Sequence, residues 1–343
     1  MSNLVLRVVG LLALIGTAAP ASAALTARGI IEDNPRAAWL DRFQDSRRGP
    51  EQTERAEGTY RVGRDGALDL SNIAGDIRVS VGGAEEIRIE SVKRVRSRDD
   101  AERASLLRDL RVEITHVADR VEVRTQYPRR SGRGVSARVD FTVQVPAGTR
   151  VALKSISGDV SVRDVQGAVR VESISGDVEV TSTPNLALAK TVSGNVTARD
   201  ISAAALTLGA VSGDIIASGL TVRTLDAGTV SGNIRLTGLQ GERVQAKSVS
   251  GDILYEAALN RGSRYEFGTH SGNVRLVLAG DAGFELDATS FSGSIRSDFP
   301  VTVGAIGRDD RRRSNNAIRG TYGDAGAVLS LRSFSGTIVI SRK

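Results

Sequence analysis

From residue 151 to the end of the chain, apolar and polar positions alternate in short bursts, and the bursts recur with a fixed period. Each first burst ends on Ser-Gly followed by Asp, Asn or a small hydroxyl residue. The serines are Ser157, Ser175, Ser193, Ser212, Ser231, Ser250, Ser271, Ser292 and Ser335, spaced by 18, 18, 19, 19, 19, 21, 21 and 43 residues. The last interval is about two periods. Self-similarity near twenty residues is the mark of a solenoid.

The columns predict the elements. Four residues before the serines sit Leu153, Val171, Ala189, Leu208, Ala227, Ala246, Phe267, Ala288 and Leu331. Two earlier again sit Val151, Val169, Ala187, Leu206, Leu225, Val244, Tyr265, Leu286 and Leu329. Polar residues fill most positions between them, which is strand periodicity. A second strand follows each glycine, as in Val160/Val162, Val178/Val180, Ile215/Ala217, Ile234/Leu236 and Val274/Leu276. A third corner carries one apolar residue, such as Val165, Ile201, Leu220 or Leu239. No period has room for a helix of about ten residues. Such a unit cannot bury its apolar face alone, but coils stacked about 4.8 Å apart enclose a continuous interior. The fold predicted is all-β: a parallel β-solenoid (β-helix) of about nine to ten coils of 18–21 residues, a rod on the order of 45 Å long.

The repeated phrase reads as turn chemistry. Gly158, Gly176, Gly194, Gly213, Gly232, Gly251, Gly272, Gly293 and Gly336 supply a backbone conformation costly for a residue with a Cβ. Asp159, Asp177, Asn195, Asp214, Asn233, Asp252 and Asn273 offer short side chains that hydrogen-bond neighbouring backbone. Stacked carboxylates could hold cations, but Asn interleaves most of the Asp residues, and the Gly-Gly-x-Gly-x-Asp nonapeptide of calcium-binding rolls is absent. No metal or cofactor is expected.

The flanks differ. Residues 1–23 have a secretory leader pattern: Arg7, an apolar stretch from Val8 to Ala19, and Ala21-Ser22-Ala23 as a cleavage site. Residues 24–57 form a polar segment, with a short helix expected over Pro35 to Arg48 that groups Trp39, Leu40 and Phe43. Residues 58–150 form a β-rich N-terminal cap with strands near 58–62, 67–70, 76–81, 86–91, 111–115, 120–125 and 138–145. One amphipathic helix interrupts it, Asp99 to Leu110, with Asp99 as N-cap and Leu106, Leu107 and Leu110 facing inward. Residues 151–343 form the solenoid, with an Arg-rich exposed loop at 308–325.

Composition narrows the function. The chain has no cysteine, so an exported protein would rely on packing and hydrogen bonds alone. The net charge is +6, about +5 without Arg7, which permits anionic partners without demanding them. No basic-aromatic platform for nucleic acid is evident. The exposed arginines Arg94, Arg96, Arg98, Arg129, Arg130, Arg311, Arg312 and Arg313 are candidate contacts for an anionic partner. Catalytic candidates are few. His116 and His270 are the two histidines, and His270 occupies a column held elsewhere by Ile156, Ile174, Val192 and Val249. Asp164, Asp200 and Asp226 can be nominated for the polysaccharide chemistry that some β-helices host, but no nucleophile–base arrangement assembles around them.

Taken together, the Ala67–Ile77 stretch ALDLSNIAGDI, the strand FTVQVP at 141–146, the Ser-Gly-Asp/Asn corners and the closing LRSFSGTI at 331–338 resemble the bacterial putative-adhesin family. This is an exported β-strand-repeat domain of unknown function, related to the GIN-type auto-transporter adhesin head. The resemblance spans about residues 58–343 and implies a non-enzymatic exported protein, with adhesion the role inferred for the family. Export, the solenoid form and the lack of an assembled catalytic constellation predict a rigid envelope scaffold whose partner is an envelope polymer or another envelope protein. Two alternatives remain: a component that senses envelope stress or antimicrobial peptides, and a polysaccharide-active β-helix enzyme.

Overall fold

The computed structural model describes residues 50–128, 135–302 and 317–343. The leader pattern, the helix expected over Pro35 to Arg48, and residues 129–134 and 303–316 lie outside the described residues. The rest is a parallel β-solenoid of two facing sheets, each of thirteen strands. In each sheet two strands are joined antiparallel at the ends, which leaves eleven parallel levels. At about 4.8 Å per level the stack is on the order of 50 Å long.

Each level contributes two strands. In the level that begins at Arg150, strand Arg150–Ser157 lies in one sheet, the chain turns at Gly158, and Val160–Arg163 returns in the other. Val151, Leu153, Val160 and Val162 point inward and are buried, and the pattern repeats up the rod. The third-corner residues Val165, Ile201, Leu220 and Leu239 close the remaining side and are also buried. The interior is thus a set of aliphatic ladders. Toward the C-terminal end it thickens with Tyr255, Tyr265 and Phe267, whose rings pack with centroids 5.2–6.5 Å apart.

Three features depart from the pattern read in the sequence. First, the solenoid begins at Ala67 rather than at residue 151. Strands Ala67–Ala74 and Ile77–Val81 form one level, and Arg120–Gln126 with Ser136–Val145 form another. The cap proper is smaller: strands Glu51–Arg61, Glu86–Arg96 and Arg111–Val117, and helix α1 over Asp100–Asp109. The first of these extends into the segment expected to be polar and irregular, and it alternates half-buried with exposed residues as an edge strand does. Asp99 caps α1 by accepting from the amides of Ala101 and Glu102, and Leu106, Leu107 and Leu110 are buried against the end of the stack.

Second, the levels at both ends are out of chain order. Residues 67–81 lie between the 120–145 level and the 150–163 level. At the other end, 327–342 is inserted between 264–279 and 284–297. The 43-residue interval therefore has a physical cause. The chain lays down the 284–297 level one place too far, leaves the stack, and returns to fill the gap. Third, the segment expected as an exposed loop to residue 325 includes strand Ala317–Tyr322, paired antiparallel with Phe284–Thr289. It closes the C-terminal end together with Phe284, Phe299 and Tyr322, over which the Arg342 guanidinium lies 5.0 Å from the Phe299 ring.

One smaller correction concerns residue 187. A register shift between Val169 and Arg170 opposite strand Leu186–Lys190 puts Leu186, not Ala187, in the buried column.

Candidate functional site

The corner column was the strongest signal in the sequence, and its geometry shows what each residue does. The corner glycines from Gly158 to Gly272, with Gly336, have φ between 125° and 153° or close beyond, at 158° for Gly232. Stacking adds a second constraint. A Cβ on Gly176 would lie 2.2 Å from the carbonyl oxygen of Gly158, and one on Gly213 would lie 1.8 Å from that of Gly194. The column continues across the reordered end, where a Cβ on Gly336 would meet Gly272 and one on Gly293 would meet Gly336. Backbone rests on backbone, so only glycine fits.

The Asp/Asn ladder is a hydrogen-bond relay. The side-chain oxygen of Asp159 accepts from the amide of Asp177 at 2.9 Å, and Asp177 accepts from Asn195 at 2.7 Å. Asn195, Asp214, Asn233 and Asp252 repeat the contact upward at 2.7–2.9 Å, and Asn273 accepts from the amide of Thr337 at 2.9 Å. Asp and Asn interchange because each offers the same acceptor oxygen to the next amide, and Asn233 and Asn273 also donate their side-chain amides to Asp214 and Asp252 at 3.3 and 3.2 Å. Among the described residues, no group of three or more His, Cys, Asp or Glu side chains is placed to hold a metal ion.

Behind the ladder runs a buried hydroxyl column. Thr191, Thr229, Ser248, Thr269, Ser290 and Ser333 each donate to a corner glycine carbonyl of the adjoining level at 3.0–3.2 Å. Ser155 and Ser173 occupy the same column, but their buried hydroxyls have no partner. Near this end Tyr127 donates to the Ala74 carbonyl at 2.6 Å, and burial pushes its phenol up to about 12. Burial also raises Tyr255, whose hydroxyl donates to Ala258 at 3.0 Å.

Other candidates disperse. Asp164 and Asp200 sit at the third corner with φ of 63° and 55°, two levels apart with Ser182 between them, so they serve as turn residues. Asp226 lies on the outer face of a sheet, beside Gln245. His116 contacts the carbonyls of Arg61 and Ala118, far from all three. The basic run at 93–98 is largely committed internally. Lys93 pairs with Glu54 at 3.0 Å, Arg94 pairs with Asp140 and reaches Glu51 at 3.8 Å, and Arg96 meets Glu51 at 2.5 Å. Arg98 is exposed. Arg129, Arg130, Arg311, Arg312 and Arg313 fall outside the described residues.

The surface that sequence reasoning missed lies one residue before each corner serine. Ile73, Ile156, Ile174, Val192, Val211, Val230 and Val249 point outward and are 39–52% exposed. His270, Phe334 and Phe291 continue the line in stack order, with ring centroids 4.6 and 4.7 Å apart and planes nearly parallel. Phe291, at the end, is 74% exposed. The result is a straight apolar ridge along ten levels. The signal was present as a column of Ile and Val, but strand alternation alone does not say that this column faces solvent.

A groove of about 500 Å³ runs beside the ridge at its N-terminal end, with Ile73, Ile156 and Ile174 on one wall and Arg124, Lys154 and Glu172 on the other. A second groove, of about 520 Å³, follows the ladder on the other sheet, bounded by Asp214, Asn233, Asp252 and Asn273 and by Ile216, Arg235, Leu254 and Arg275.

Fold and corner column together define a repeat protein of the parallel β-solenoid class, in which the most regular residues hold the backbone. The chain belongs to the Toastrack DUF4097 family, whose profile matches residues 66–341. It is similar to the crystal structure of a putative cell adhesion protein from Clostridium sporogenes, with 12% identity and a TM-score of 0.23 over 84% of this chain and 100% of that one. It is also similar to a putative adhesin from Bacteroides fragilis, with 14% identity and a TM-score of 0.38 over 84% of this chain and 97% of that one. No curated protein matches the chain.

Proposed function

We propose that the protein is exported and serves as a non-catalytic, adhesin-like scaffold at the cell envelope, holding a long binding edge rigid. The observation that carries this reading is the apolar ridge, broken only by His270, which stays exposed along ten levels while the corner serines and ladder residues beside it bond from level to level. Monomeric proteins rarely leave a contiguous apolar strip of that length in water unless it meets a partner. Export is supported by the pattern Arg7, Val8 to Ala19 and Ala21-Ser22-Ala23. Among the described residues, no helix is long and apolar enough to cross a membrane. The absence of a catalytic role is supported by the dispersal of Asp164, Asp200, Asp226 and the two histidines, and by the use of the Asp/Asn ladder as backbone acceptor.

The test has two parts. Intact mass of the protein recovered from cells should show cleavage after Ala23. The purified protein should bind whole cells or isolated envelope fractions, and Val211→Lys with Val230→Lys should reduce that binding at least tenfold. Binding that ignores the ridge substitutions, or a protein that retains residues 1–23 inside the cell, refutes the proposal.

A further inference from the structure

The ridge is bordered differently on its two sides. Two residues before each ridge position, on the outer face of the same strand, the column reads Arg124, Ser71, Lys154, Glu172, Lys190, Gly209, Gly228, Lys247, Gly268, Arg332 and Thr289 in stack order. That side is net cationic, with Glu172 its one acid, and of its five cations Arg124 pairs with Glu122 and Lys247 with Glu266. Across the corner, three residues after each ridge position, stands the ladder with the carboxylates of Asp76, Asp159, Asp177, Asp214 and Asp252. One carboxylate oxygen of each accepts from the neighbouring backbone. The second oxygen of Asp76 is held by Arg78 at 2.9 Å, whereas those of Asp159, Asp177, Asp214 and Asp252 make no bond among the described residues and remain for a partner.

We propose that this edge is a self-association surface, on which a second copy of the same chain docks ridge to ridge with the two rods parallel. Three observations select that occupant. The first is charge. A half-turn about an axis parallel to the rods brings the cationic side of one copy opposite the carboxylate side of the other, so Lys154 faces the ladder near Asp159 of its partner, and Lys247, which also pairs with Glu266 of its own chain, the ladder near Asp252; Glu172 opposite Asp177 is the one like-charge pair. Reversing one rod would set cations against cations. An anionic polymer or membrane would be drawn to one flank and repelled by the other. The second is spacing. The ridge side chains repeat at the strand-to-strand distance, about 4.8 Å, and a second copy carries the same repeat over the same ten levels. The third is area. The ridge exposes roughly 800 Å² per copy, the scale of one side of a standard interface. The groove beside Ile73, Ile156 and Ile174 gives the partner's side chains a place to seat.

The pairing goes beyond the scaffold reading: it uses the same ridge, so self-association and envelope binding compete for it, and it can be measured with no envelope component present. Sedimentation velocity of the purified protein should give twice the monomer mass at micromolar concentration. Val211→Lys with Val230→Lys should return it to monomer without changing its far-UV circular dichroism, since both side chains point into solvent. Lys154→Glu with Lys247→Glu should weaken association at least tenfold by setting acid against Asp159 and Asp252. Orientation is read by single cysteines, which the cysteine-free chain permits. Ile156→Cys, Val211→Cys and Val249→Cys should each give a disulfide-linked dimer on mild oxidation. Crosslinking at Val211→Cys alone would indicate antiparallel rods and overturn the arrangement. A monomer at all concentrations overturns the proposal, whether or not it binds cells, glycans or lipid vesicles through the ridge. A dimer indifferent to the ridge substitutions overturns it as well.

Discussion

Alanine at a corner glycine separates the two reasons that glycine is there. At Gly176 the backbone has φ of 125°, and a Cβ would lie 2.2 Å from the Gly158 oxygen and 2.6 Å from its carbonyl carbon. An ordinary contact of this kind needs about 1 Å more, and the obstacle is backbone clamped between levels. Strain in such a conformation costs on the order of 1–3 kcal/mol, and forced overpacking a further 1–3 kcal/mol. We expect Gly176→Ala to destabilise by about 4 kcal/mol, lowering the melting temperature by about 10 °C. Two controls divide the sum. Gly262 also has positive φ, 74°, but nothing lies within 4 Å of its Cβ position, so alanine there should cost about 1 kcal/mol. Gly228 has no positive φ and only the Lys247 oxygen at 4.0 Å, so alanine there should be neutral or stabilising by up to about 1 kcal/mol. The three melts, read by circular dichroism with urea titrations alongside, should rank in that order. If Gly176→Ala falls within about 1 kcal/mol of Gly262→Ala, the levels can part at little cost, and backbone contact does not explain the repeated glycine.

Three further outcomes follow from the same geometry. Asp177→Asn should change stability by less than about 0.5 kcal/mol, because Asn195 and Asn233 make the same contact, whereas Asp177→Ala should cost about 1 kcal/mol by freeing the Asn195 amide; calcium should leave all three melts unmoved. Thr229→Ala should cost about 1 kcal/mol by removing its bond to Gly213, while Ser173→Ala, whose hydroxyl has no partner, should be neutral or stabilising in the same chemical denaturation. Tyr127 ionises near 10 when unfolded and about 12 when folded, so its neutral form favours the fold. The associated stability is complete below pH 10 and is lost as pH rises toward 12, and Tyr127→Phe should flatten that part of the stability–pH curve.

Much of the fold was legible because its constraint is local and repeated. The inward columns, the Ser-Gly corners and the Asp99 cap each record a requirement that one turn or one strand imposes on its own residues. The order of the levels was not legible. Nothing in residues 67–81 or 327–342 distinguishes a neighbour in sequence from a neighbour two places away, because every level presents the same corner to the next. The start of the solenoid was misplaced for a related reason: a helix and two antiparallel strands separate the first two levels and hide their common register. The ridge escaped notice differently. Val192 and Val211 look like core residues by composition, and only the positions of the strand ends reveal that they face outward. The arginines near 94 looked available because the acids that hold them, Glu51 and Asp140, are remote in sequence.

The displaced level at residues 327–342 bears on the order of assembly. During synthesis the levels between residues 150 and 279 can stack in chain order, but the slot beneath the 284–297 level must stay vacant until residues 327–342 emerge. The folded molecule therefore has residues 327–342 tucked under an earlier loop, like a cord passed back beneath one of its own windings. Freeing that level would first require lifting the winding that holds it.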